Sequence, residues 1–126
     1  MNPKVRAAAA LTLVCAFAAR SQGRVDIVQI WENFIASRVA ASECGGIDKN
    51  SDQNFLVNLT SVTIRVTQAI EQRNPTVPNA DLVGKIKALS DGIHDKVDAE
   101  IKQNSCSSPR IQQLLSMYKL NAAITF

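Results

Sequence analysis

Cys44 and Cys106 are the residues with the clearest capacity for chemistry, and their surroundings narrow what that chemistry is. A nucleophilic thiol needs a neighbouring base, and neither cysteine has one in its local sequence. Zinc needs further Cys or His ligands at short spacing; the chain carries one His and no Cys-x-x-Cys. What remains is a disulfide, the first reading of an even pair in an oxidising compartment.

A second cluster is DGIHDKVD, in which Asp91, His94, Asp95 and Asp98 recur at i, i+3, i+4 and i+7. On a helix these share one side, and carboxylates with an imidazole on one face can hold a divalent metal. Lys87 lies four residues before Asp91 and Lys102 four after Asp98. Charge pairing on a solvated helix face therefore accounts for the pattern as well, and no metal or cofactor is expected. Asn58-Leu59-Thr60 matches the N-glycosylation tripeptide, but Leu59 falls on an apolar stripe, which argues against modification. No GxSxG, HExxH or phosphate-binding glycine loop is present. The chain reads as a non-enzyme.

The compartment follows from the N-terminus. Lys4 and Arg6 precede an apolar run from Ala7 to Ala19 broken only by Thr12, and Ala16 and Ala18 supply an A-x-A cleavage pattern. This is the build of a secretory signal peptide, residues 1–18, followed by a single domain over 19–126. The run is too short for a membrane span, which takes about 20 residues. Cys15 follows Thr12, Leu13 and Val14; it lacks the small preceding residue of a lipoprotein site. Without the leader, 12 basic side chains face 11 acidic ones, because Lys4 and Arg6 leave with it. That balance lacks the concentrated basic face of a nucleic-acid binder. The expected location is periplasmic or secreted, with no stable membrane span after cleavage.

Four apolar-periodic stretches must position these residues. Ile27, Trp31, Phe34 and Ile35 mark a helix from about Arg24 to Ser42, with Trp31 as a core anchor, closed by Gly45-Gly46. Phe55, Leu59, Val62, Val66 and Ile70 mark a second from about Asp52 to Arg73, capped by Asn50 or Ser51. Its TSVTIRVT segment favours a strand on propensity, and the longer helical stripe is weighed above it. The most regular stripe is Leu82, Ile86, Leu89, Ile93, Val97 and Ile101, in a helix from about Ala80 to Asn104 with Asn79 or Asp81 near its cap. Gly84 and Gly92 interrupt it and are expected to admit a neighbouring helix. Ser108-Pro109 starts the fourth, with Ile111, Leu114, Leu115 and Tyr118 on its apolar side and fraying expected after Asn121.

Four helices with short connections predict an all-α, antiparallel four-helix bundle. Cys44 and Cys106 follow the ends of the first and third helices. In an up-down-up-down bundle those ends share a pole, so the topology predicts a Cys44–Cys106 staple. In general build the chain is similar to small periplasmic helical proteins with one disulfide, among them acid-stress chaperones. Their Trp-x-Cys start has no counterpart here, since Trp31 is far from Cys44. The expectation is a small exported protein that binds another protein of the cell envelope, in an inhibitor, immunity-like or chaperone-like role. The alternative is a carrier of a small ligand or metal, using the bundle interior or the Asp91 to Asp98 face.

Overall fold

The structure, a computed structural model, describes residues 26–125. Segment 1–18, expected to be a signal peptide, and Cys15 within it lie outside the described residues. Among the described residues four helices follow one another: α1 (Ile27–Glu43), α2 (Lys49–Arg73), α3 (Asn79–Asn104) and α4 (Pro109–Ala123). Together they form a compact helical bundle closed by the Cys44–Cys106 disulfide. No helix among the described residues is long and apolar enough to cross a membrane.

The helix ends show which local signals prevail. Asp26 caps α1 by accepting from the Val28 amide at 3.0 Å, which satisfies one of the free N–H groups of the first turn. Gly45, at φ 74°, carries the chain out of α1 in the left-handed region where glycine has no steric penalty. Gly46 then passes close to α4, where an added Cβ would meet the Leu115 side chain at 3.3 Å. α2 begins earlier than its sequence signals suggest. Asp48 takes the Asn50 amide at 3.0 Å, and its own carbonyl takes the amides of Ser51 and Asp52. The cap therefore lies upstream of Asn50 and Ser51. α3 starts at Asn79 behind Pro78, with no side-chain cap. Ser108 caps α4 through the Ile111 amide at 3.3 Å, with Pro109 at the first helical position.

The β-branched segment of α2 is helical throughout. The hydroxyls of Thr60, Ser61, Thr63 and Thr67 each donate to the carbonyl four residues earlier. Phe55, Val62 and Val66 meanwhile go into the core. Tertiary burial outweighs strand propensity here. The core centres on α1, which packs against all three other helices and most extensively on α4. Phe55 sits between Phe34 and Tyr118, with ring centroids 5.4 and 4.8 Å away. Trp31 is 2% exposed and donates its indole N–H to Thr63 Oγ1 at 3.2 Å.

α4 does not fray at Asn121, because α2 holds its end. The Asn58 amide donates to the carbonyls of Asn121 and Ile124, both at 2.8 Å, and the Asn54 amide donates to those of Ala122 and Ile124. These carbonyls have no partner within α4 itself.

α3 departs most from expectation. Of its six stripe residues, only Leu82 and Val97 are buried, and Leu89 is 45% exposed. Its packing against α2 and α4 is thin. No helix approaches the two glycines: a Cβ at Gly84 or Gly92 would meet nothing within 4 Å. The expected close approach is therefore absent, and each glycine only adds unfolded-state entropy. Gly84→Ala should raise stability by up to about 1 kcal/mol. Urea unfolding measures this, and a loss of stability would show that the site is not open.

Candidate functional site

The disulfide joins the ends of α1 and α3 with a Cα–Cα distance of 5.8 Å. It occupies both thiols, so neither is a nucleophile or metal ligand in this state. Beside it Ser105 leads out of α3 at φ 65° and ψ 173°, a conformation that side-chain-bearing residues rarely adopt, and its hydroxyl pairs with that of Ser107 at 2.7 Å.

Asp91, His94, Asp95 and Asp98 remain along one helix rather than converging on a centre. Asp91 pairs with Lys87 at 2.8 Å in solvent, the i,i+4 surface pairing suggested by the sequence. Among the described residues no group of three His, Cys, Asp or Glu side chains gathers to hold a metal ion. Asn58 is 2% exposed with its amide engaged by the α4 end, so the tripeptide at 58–60 is closed to glycosylation in the folded protein.

A polar cluster not anticipated from the sequence sits between α1, α2 and α4. Arg38 donates to both Asp52 oxygens, at 3.4 and 3.1 Å, and the Tyr118 hydroxyl donates to Asp52 Oδ1 at 2.8 Å. Burial raises the pKa of the Asp52 carboxyl. The hydrogen bonds from Arg38 and Tyr118, aided by the Arg38 charge, outweigh burial and hold it below its ordinary 3.8. Burial, then the bond to Asp52, pushes the Tyr118 phenol up to about 12. The cluster is internally satisfied, and among the described residues every buried side-chain nitrogen and oxygen has a partner. Its form is that of a structural tie joining three helices.

Two clefts lie along the flanks of α3. One flank forms a cleft of about 430 Å³ with α1 and α4. Leu89 and Ile93 contribute its accessible apolar surface, over a floor of buried Ala36, Val97, Ile111 and Leu114, and Gly92 lies along it. Its polar side chains carry both signs of charge: Glu32 and Glu100 against Lys96 and Arg110. The other flank forms a cleft of about 400 Å³ with α1 and α2. The sequence indicated an apolar α3 but not that its neighbours would leave it partly uncovered. No protein-family model, curated protein or solved structure matches this chain.

Proposed function

We propose that the protein is exported, has no catalytic activity, and binds another protein of the cell envelope in the cleft between α1, α3 and α4. The observation that carries this reading is the partial exposure of the most regularly apolar helix. Leu89, at mid-helix, is 45% exposed beside a cleft with half-buried Ile93 and buried Val97. An apolar centre with charged side chains of both signs around it is the usual build of a protein interface. The α3 residues of the cleft run from Ala88 to Glu100, about 18 Å of helix. That length accepts some three turns of a partner's amphipathic helix laid into the groove. Export is supported by the leader-like N-terminus and is consistent with a disulfide, which persists in oxidising compartments.

The test places a photo-crosslinking residue at Leu89 in the cell of origin. Val57, 58% exposed on α2 and away from the cleft, serves as control. A discrete crosslinked protein from position 89 and not from 57 is expected, and Leu89→Lys should abolish its co-purification. A cleft that crosslinks nothing, or a complex that survives Leu89→Lys, overturns the reading.

A further inference from the structure

The second cleft differs from the first in its charges. Leu59, Val83 and Ile86 supply its accessible apolar surface, over a floor of buried Trp31, Ile35 and Val39. Its ionisable residues are Arg38, Lys87 and His94, joined by the hydroxyl residues Thr63 and Ser90. No carboxylate lines it, whereas Glu32 and Glu100 line the cleft on the other flank. Its volume of about 400 Å³ lies within the roughly 300–1,000 Å³ of small-molecule sites.

We infer that this cleft binds a small amphipathic carboxylate, a medium-chain aliphatic acid in its ionised form. The aliphatic chain lies against Leu59, Val83 and Ile86, above the buried Trp31, and the carboxylate meets the Lys87 ammonium at the edge, beside the His94 ring. Arg38 is held by Asp52 at 3.1 Å and contributes mainly position. Lys87 is the exchangeable cation. Its bond to Asp91 joins side chains that are 76% and 61% exposed, and a pair of that kind contributes little to stability. The ammonium can therefore move from Asp91 to an incoming carboxylate at small cost. The chain of the ligand gains by leaving water for the apolar wall of the cleft. A cationic amphiphile of the same length gains the same burial and meets like charge at the edge. The cleft thus selects by sign. This inference is independent of the protein-partner reading, because it uses the other flank of α3.

Trp31 is the only tryptophan, so its fluorescence reports on this cleft. Decanoate, added at neutral pH to the purified disulfide-bonded protein below the micellar range, should shift Trp31 emission saturably. It should also raise the melting temperature, as any ligand selective for the folded state does. Decyltrimethylammonium should do neither. Lys87→Glu should weaken decanoate binding about tenfold or more while leaving the unliganded melting temperature near that of the parent. Leu89→Lys, in the opposite cleft, should leave decanoate binding unchanged and so separates this site from the partner site. An unsaturable or absent decanoate response, an equal response to the cation, or Lys87→Glu binding within about twofold of the parent overturns the proposal.

Discussion

Replacing Cys44 and Cys106 together by serine should lower the unfolding free energy by about 4 kcal/mol, and the loss should fall first on α3. The magnitude follows from the 62-residue separation of the two cysteines, since closing a loop of that length removes a large share of unfolded-chain entropy. The location follows from packing. The central cluster of buried residues draws on α1, α2 and α4 for every member except Val97. α3 meets α1 well but touches α2 and α4 thinly. Without the staple at its C-terminal end, α3 keeps its short connections, its packing on α1 and little else. Urea unfolding of the double variant gives the global value. Hydrogen exchange at moderate stability gives the distribution, because local openings are set by local contacts. The expected pattern is faster exchange through Asn79–Asn104 than through the other three helices. A loss below about 1 kcal/mol, or an acceleration spread evenly over all four helices, would show that the bond is not what holds α3 in place. Both clefts would also be lost, since α3 forms one wall of each.

The helices were legible because periodic burial is written into residue type. The staple was legible because short loops leave few ways to order four helices. Phe55, Val62 and Val66 signalled one buried face despite the threonines between them, and the structure buries all three. The α3 stripe shows where this reasoning stops. Periodicity says that Leu82, Ile86, Leu89, Ile93, Val97 and Ile101 share a side, but not how much neighbouring surface exists to cover them. Coverage depends on the distances between helices, and Leu89 is left half in solvent. Asn54 and Asn58 were equally silent. Their helical spacing placed Asn58 beside the core stripe, yet its role depends on the end of α4, 63 residues further along. Side chains that bind distant backbone leave no local pattern. The Arg38, Asp52 and Tyr118 cluster failed to appear for the same reason. Asp52 stands in the first turn of α2, where the helix dipole alone favours an anion, and its partners come from two other helices.

Asp52→Ala should cost about 2–3 kcal/mol, more than an average surface carboxylate and less than a fully buried ion pair. Tyr118 is 1% exposed, so its hydroxyl loses its acceptor where water has little access. The Arg38 side chain is 36% exposed, which lets its guanidinium recover solvent and limits the loss. Tyr118→Phe should cost only about 1 kcal/mol, because Asp52 keeps both contacts to Arg38. The double variant should cost less than the sum of the two, as groups sharing one hydrogen-bond network do. The pH dependence has a definite sign at each end. Asp52 titrates below its ordinary 3.8 in the fold. Its contribution is therefore complete above that range and is lost as pH falls through the depressed value. The stability gap between parent and Asp52→Ala should shrink in acid and stay constant from about pH 5 to 8. At the alkaline end, the Tyr118 phenol is pushed up to about 12 against an ordinary 10.0. The fold then holds a proton that the unfolded chain has released, so stability falls as pH rises from about 10. Tyr118 is the only tyrosine, so ultraviolet titration of phenolate reads this site alone. In Asp52→Ala the phenol should titrate lower than in the parent yet above the ordinary value, because burial, the larger cause, remains. A parent tyrosine that ionises near 10, or an Asp52→Ala deficit that persists undiminished in acid, would mean that the bond from Tyr118 to Asp52 does not tie α4 to α2.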